Sequence, residues 1–375
     1  MEFKFEDFVQ LAKDKKEIRH STEEVCGENI HIFHYMVTSP DLFKNEIERE
    51  CRGISFLGTG GCVCRPYNKF FNIGEREETL PQNLDWDNIG PVTIKADGSL
   101  VTPVEINGQI FWKTKKTFFS NIAIDLNEKW SKKGSFWKKY YDLIHSNDHK
   151  EYTLLFEYVS LGNRIVLKYD KEELIYLGKR NIITGEYIIN PDIIVETVPN
   201  KEDAPTWCYN RFIERVKDEK EIEGYVLYSK DGLSAWKIKT QWYVDRHHLL
   251  SSISYKTILK MIGEETIDDI IAELRIMGFV DQAKLVEDVY KEYSDEWSEL
   301  HLDMYELYSF IVKGQHLTKK EFAVKVLGSY KFYQGPLFSL YDNNDERIAQ
   351  EVEKIVLEKL REKYKTKVIF LGEVQ

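Results

Sequence analysis

The residue texture changes once along the chain, near Tyr243, and this limits the fold more than any other feature. Before it, short runs rich in β-branched and aromatic residues alternate with turn residues: IHIFHYM from Ile30, RGISFL from Arg52, CVCRPY from Cys62 and TLLFEYV from Thr153. Such runs suit a pleated, half-buried surface and read as strands. Asn107-Gly108 divides VTPVEI from QIFWKTK, and Asp231-Gly232 divides YVLYS from SAWKIK, both in the form of tight hairpins. Gly58-Thr-Gly-Gly61 supplies another turn. Two amphipathic helices are expected among these strands, near Phe5 to Leu11 and around Trp207 to Val216. After Tyr243 helical spacing takes over, with Ile267, Ile270, Ile271 and Leu274, then Gln282 to Val312 without proline or glycine. Thr318-Lys-Lys-Glu321 has capping-box spacing, and Ile348, Val352, Ile355 and Val356 form a further stripe. The expected class is α+β: an antiparallel-sheet-rich domain over 1–245, then an all-α C-terminal domain over 246–375.

Composition narrows the function. The 375 residues are 42% hydrophobic, enough for sizeable cores and against disorder. With 52 basic and 63 acidic residues the net charge is −11, so nucleic acid is not bound by bulk positive charge and any such site is a local basic patch. No run approaches the ~20 apolar residues of a membrane span. MEFKFEDFVQ is too charged for a secretory leader, so a cytoplasmic protein without a membrane partner is expected. The five cysteines lack paired CxxC spacing and read as reduced thiols; His31/His34 and His247/His248 have no metal partner close in sequence. Neither GxxxxGK[ST] nor GxGxxG occurs.

The chemistry-bearing residues recur in short segments. Lys95-Ala-Asp-Gly98 follows the strand-like PVTI and is either an Asp-Gly hairpin turn or the seat of a nucleophilic lysine. Lys237 and Lys239 alternate onto one face of a strand, as Lys113 and Lys115 are expected to do; such pairs lie on a solvated edge or meet an anion. Arg52, Arg65 and Lys69 add cations, and together the group suggests a polyphosphate. Glu157 and Glu223 sit inside apolar runs, where they face solvent or else take a ribose and a divalent cation.

The order and spacing of these segments resemble the covalent nucleotidyltransferases, the superfamily of ATP-dependent ligases and RNA capping enzymes. Lys95-Ala-Asp-Gly98 is similar to the nucleophile motif, LLFEYV with Glu157 to the third, IEGYV with Glu223 and Gly224 to the fourth, and WKIK with Lys237 and Lys239 to the fifth. ECRGISF with Arg52, RPYNKFFN with Lys69 and Phe71, IFHY with Tyr35, NRIVL, TGEYI and KTQWY resemble the phage-type RNA ligase 1 family in particular, over about residues 30–245. Lys116-Thr117 departs from that pattern, which has a small residue and a serine after Lys115.

The resemblance implies a nucleotidyltransferase domain using ATP with Mg2+ or Mn2+, and three steps: Lys95 takes AMP, AMP passes to an RNA 5′-phosphate, and an RNA 3′-hydroxyl displaces it. It implies that Arg52 and Lys69 hold the outer phosphates, Lys237 and Lys239 the α-phosphate, and Glu157 the ribose. Tyr35 and Phe71 would pack around the nucleotide beside Gly98, Lys115 and Gly224. Glu223 would bind metal, with Glu157 and Asp268 as further candidate ligands; Asp268 also fits an ordinary surface pair with Asp269. Nearby cations are expected to favour the free amine of Lys95. The implied partners are RNA ends, nicked tRNA above all, prepared by a 5′-kinase/3′-phosphatase, in the host cytoplasm if the chain is phage-encoded. Lys319, Lys320, Lys325 and the run Arg361 to Lys367 either meet RNA phosphates or form a solvated basic surface. Rival readings are a DNA ligase, a capping-type enzyme, or a non-catalytic RNA-binding nucleotide sensor. The first two usually place an OB barrel after the fifth motif, where helix is expected here.

Overall fold

The computed structural model describes residues 3–37, 42–199 and 208–367. They form two compact units, one running to His247 and one from His248 onward.

The first unit holds three antiparallel sheets. Strands Ile18–Val25, Glu28–Tyr35, Arg52–Leu57 and Cys62–Cys64 make the N-terminal sheet in that order. The helix Phe5–Asp14 lies over it, burying Phe8 among Phe33, Phe56 and Ile54. Each such fully buried ring contributes roughly 1.5–3 kcal/mol. A five-stranded sheet follows, ordered Tyr187–Ile189, Glu173–Asn181, Tyr152–Val159, Ser99–Ile106, Gln109–Lys113. The third sheet runs Ile194–Thr197, Ile89–Ile94, Gly224–Ser229, Ala235–Lys239.

Three apolar layers join these sheets. Val25, Ile30 and Ile32 meet Val104, Ile106 and Phe118. Tyr67, Leu100, Leu155 and Tyr187 meet Val226, Tyr228 and Ala235, so the second and third sheets face each other. Ile89, Val92, Leu227 and Ile238, on the third sheet, pack against Phe212 and Val216 of the helix Tyr209–Asp218. Glu50 adds a polar tie: its carboxylate takes Arg65 Nη2 at 2.8 Å and Arg180 Nη2 at 2.7 Å, all three side chains buried. Removing one partner from such a buried group costs about 3–5 kcal/mol, because the others stay buried and unpaired. Glu50 stands two residues before Arg52, so this triad fixes the start of the strand that carries Arg52.

Several local expectations need correction. Asn107-Gly108 does close a two-residue hairpin, with Ile106 opposite Gln109. Asp231-Gly232 does not: Ser229 N donates to Ser234 O at 2.9 Å, enclosing a four-residue loop. There Asp231 Oδ1 accepts from Leu233 N, and this local bond competes with the tighter turn. The helices Asn121–Ser131 and Ser135–His145 were not expected; they cover the five-stranded sheet through Ile122, Leu126, Trp130, Phe136, Tyr140 and Ile144. The second expected helix begins at Tyr209, and Trp207 lies outside the described residues.

The second unit is helical throughout its described residues, built on Ile267–Ile276, the 33-residue Val280–Val312, Lys319–Ser329 and Asp345–Tyr364. Ile267, Ile271, Leu274, Ile348, Val352 and Val356 are buried, and Thr318 with Glu321 forms the capping box. No helix among the described residues is long and apolar enough to cross a membrane.

Candidate active site

Ile89–Ile94 and Ser99–Ile106 belong to different sheets, so Lys95-Ala-Asp-Gly98 is no hairpin turn but the chain's step from one sheet to the other. The step is tightly held. Lys95 N donates to Gly224 O at 2.8 Å. Asp97 is buried; its Oδ2 accepts from Val166 N and Leu167 N at 2.8 and 2.7 Å, and its Oδ1 from the Tyr243 hydroxyl at 2.7 Å. The NRIVL and KTQWY segments therefore act here by clamping the loop. Close approach of backbones adds to this: a Cβ on Gly98 would stand 2.3 Å from Tyr158 O, and one on Gly224 2.0 Å from Ile238 O.

The loop leaves Lys95 Nζ at the mouth of a cleft between the two facing sheets. Tyr35, Arg52, Lys69, Gly98, Glu157, Glu223, Lys237 and Lys239 line the same cleft. Glu223 is the hinge of the charge pattern. Its Oε2 is 2.8 Å from Lys95 Nζ and its Oε1 3.0 Å from Lys239 Nζ, with the carboxylate 2% exposed. Burial works against that charge, yet Lys95 and Lys239 outweigh it and hold the acid below the usual range.

The same pair reverses an expectation. Burial lowers the pKa of Lys95, but Glu223, Glu157 and Asp97 more than offset this and raise it, so the resting side chain is an ammonium. The depressed amine is Lys237, brought down to about 7 by burial and by Lys69, Lys95, Lys239 and Arg52. Sequence placed cations around Lys95 correctly; it did not show that a carboxylate 128 positions away touches the amine first. Glu157 is pushed up to about 7 by burial, Glu223 and Asp97, against the pull of Lys95 and Arg52.

Other candidates take different places. Lys115 stands 4.3 Å from the centre of the Tyr35 ring, and its cationic charge with those of Arg52 and Lys69 brings the Tyr35 phenol down despite burial. Lys113 does not share that face: its strand ends there, and its buried Nζ donates to Gly53 O at 2.9 Å. Arg65 is committed to Glu50. Phe70, not Phe71, lines the cleft, because adjacent residues of an extended segment point to opposite sides. Phe71 is buried beside Phe43, and Lys69 Nζ rests 5.1 Å from its ring centre. Gly224 acts through its backbone oxygen. Asp268 is exposed in the first turn of Ile267–Ile276, in the helical unit. Asp97 and Tyr243, buried and bonded to each other, clamp the loop that carries Lys95, a part that the sequence reading does not give them. The lone acid before a glycine was the available signal for Asp97.

Glu157 and Glu223 supply two carboxylates at one cleft, and no group of three or more candidate ligands gathers among the described residues. That donor set fits Mg2+ or Mn2+, which commonly takes one or two carboxylates and completes its shell with substrate phosphate and water.

Comparison with known proteins bears on the whole arrangement. The RNA ligase family profile matches residues 50–243, just over half of the chain and most of the cleft. A putative RNA ligase of Thermovibrio ammonificans is 28% identical over 289 residues, covering 70% of this chain and 71% of that one. RNA ligase 1 of bacteriophage TS2126 is 24% identical, covering 72% and 68%. A putative bifunctional polynucleotide kinase/RNA ligase of Autographa californica nuclear polyhedrosis virus is 26% identical, covering 60% of this chain and 34% of its own length. Given the extent of the profile match and the agreement of its segments with the cleft, this chain belongs to the RNA ligase family, in the phage-type RNA ligase 1 group.

Proposed function

We propose that the protein seals RNA using ATP as substrate, through AMP carried on Lys95. The observation that carries this is one lysine, at the end of a clamped loop, facing Glu223, Lys237 and Lys239 across a cleft also lined by Arg52 and Lys69. In the first step a bond forms between Lys95 Nζ and the α-phosphorus, and the bond to pyrophosphate breaks. In the second an RNA 5′-phosphate oxygen takes the AMP and releases the lysine amine. In the third an RNA 3′-hydroxyl attacks the activated phosphorus and AMP leaves. Dividing the reaction around a covalent intermediate turns one difficult displacement into easier ones.

Lys95 must shed its proton before it attacks, and its ion pair with Glu223 opposes this. A divalent cation on Glu157 and Glu223 would supply charge that draws Glu223 off the ammonium and neutralises departing pyrophosphate. Lys237 and Lys239 face the α-phosphate, with Arg52 and Lys69 toward the outer phosphates and Glu157 toward the ribose. Tyr35 and Lys115 close the wall beside Arg52.

Phosphate binding next to Lys237 should raise its pKa from about 7 toward the ordinary lysine range. At pH 8 the free amine is mostly neutral, so the metal-free complex takes up close to one proton. Affinity then weakens as pH rises above about 7, by up to roughly tenfold per unit. Calorimetry in buffers of different ionisation enthalpy reads this directly, and Lys237→Arg, always charged, should remove most of the uptake.

The substrates we assign are a 5′-phosphate and a 3′-hydroxyl. RNA with 5′-hydroxyl and 3′-phosphate ends should stay unsealed on a gel until a 5′-kinase/3′-phosphatase has acted, and efficient sealing without repair would refute the assignment. We further assign nicked tRNA as substrate and the helical unit as its selector. Several of its basic residues are already paired, Lys319 with Asp342, Lys363 with Glu292 and Lys365 with Glu362. Exposed pairs of this kind contribute only about 0–1 kcal/mol and exchange readily for phosphate. A chain ending after the helix Gln241–Ser252 should still take AMP but lose its preference for nicked tRNA over a linear RNA, measured by competition.

A further inference from the structure

Besides its charged residues the cleft is lined by Leu100, Leu177 and Val226, which pack in one apolar cluster with Tyr67 and Tyr228. The hydroxyls of Tyr67 and Tyr228 are 2.7 Å apart, and Tyr228 also hydrogen-bonds the side chain of Thr93. All three residues line the cleft although each is at most 4% exposed. The ring of Tyr67 stacks on Tyr187, whose hydroxyl donates to Asn68 Oδ1 at 3.0 Å, so the pair cannot readily swing away. Burial raises both phenols well above their ordinary pKa, and they stay as hydroxyls across the working pH range.

A cleft lined both by an apolar cluster that carries two hydroxyls and by a group of cations has a place for each part of a nucleotide. The phosphates belong with the cations, which leaves the flat base between the aliphatic side chains with its polar edge against the hydroxyls. A phenolic oxygen has two lone pairs and one proton. Whichever tyrosine donates across the pair, lone pairs remain at the cleft wall to accept an amino N–H. We propose that the Tyr67–Tyr228 hydroxyl pair is the base-reading element of this site and selects a purine bearing a 6-amino group. The inference rests on the nucleotide-dependent function proposed above and adds the residues that choose the base.

The test compares binding of AMP with that of the same monophosphate lacking the 6-amino group, by calorimetry on the full chain. Neither nucleotide carries a pyrophosphate to lose, so the readout is independent of Lys95 chemistry. Wild type should favour AMP by about tenfold, the value of one well-made hydrogen bond. In the double variant Tyr67→Phe/Tyr228→Phe that ratio should fall to near one. Replacing both phenols by rings of the same shape leaves neither tyrosine hydroxyl facing an empty partner, and only Thr93 loses a bond, so the double variant should fold; if it does not, Tyr228→Phe alone is judged by the same ratio. An unchanged ratio, with both affinities shifted equally or not at all, would make the pair purely structural and overturn the proposal, as would a wild type that does not discriminate. Absence of an AMP adduct from ATP would instead count against the ligase mechanism and leave the binding ratio to judge the tyrosines.

Discussion

Lys95→Ala should leave no detectable AMP on the protein after denaturation, and no sealing of RNA ends that need activation. The loss is expected to be complete rather than partial, because no neighbouring amine stands where Lys95 does. Lys239 is tied to Glu223 Oε1, and Lys237 is carried by another strand with its amine 5.5 Å from the Phe70 ring centre. The variant should fold normally: Lys95 is exposed at the cleft mouth to 24%, and its backbone bond to Gly224 survives the change. Sealing of an RNA already bearing AMP on its 5′-phosphate should persist, since the third step uses the other residues of the cleft. If Lys95→Ala still labels, the nucleophile is elsewhere.

Glu223→Gln should reduce adduct formation by on the order of a hundredfold or more, the scale of a preorganised charge lost from an active site. Two opposing effects follow from the geometry. Losing the carboxylate lowers the pKa of Lys95 and so favours the free amine. It also removes a divalent-cation ligand and frees Lys239 and Lys95 to repel each other. The second effect should dominate at pH 7, and raising the pH should not rescue the variant, because its amine is no longer the limiting group. Single-turnover labelling at several pH values measures both. Labelling at the wild-type rate would remove Glu223 from the mechanism, and recovery at high pH would restrict it to a proton effect.

The site was more legible in the sequence than its charge states were. Arg52, Lys69, Lys95, Glu157, Glu223, Lys237 and Lys239 all reach one cleft, because each sits in a short segment whose order along the chain is itself informative. Alternation told which face Lys237 and Lys239 share, since their strand continues through both. The same rule failed for Lys113 and Lys115, where the strand stops at Lys113 and the chain bends. Arg65 looked like a phosphate ligand until Glu50 and Arg180, distant in sequence, folded onto it. The ammonium form of Lys95 has the same origin in a long-range partner.

The fold divides similarly. The switch from strand to helix near Tyr243 follows from local periodicity; the two compact units divide at His247 and His248. The two helices between Asn121 and His145 had a signal in the sequence, since Ile122, Leu126 and Trp130, then Phe136, Tyr140 and Ile144, recur every four residues. That spacing marks an amphipathic helix face and was obscured by the surrounding strand-like runs. The four-residue loop at Asp231-Gly232 depends on where Ser229 and Ser234 meet, which no dipeptide can specify.

The central claim, that Lys95 carries AMP on the way to a sealed RNA, is tested most directly by a label-transfer experiment. The full chain is incubated with ATP labelled in the α-phosphate and a divalent cation, freed of unbound nucleotide, and mapped by peptide mass spectrometry before and after addition of 5′-phosphorylated RNA. The expected result is a single AMP on the peptide containing Lys95, which moves to the RNA 5′ end during the chase. AMP on another residue, or label that stays on Lys95 when RNA is added, would contradict it.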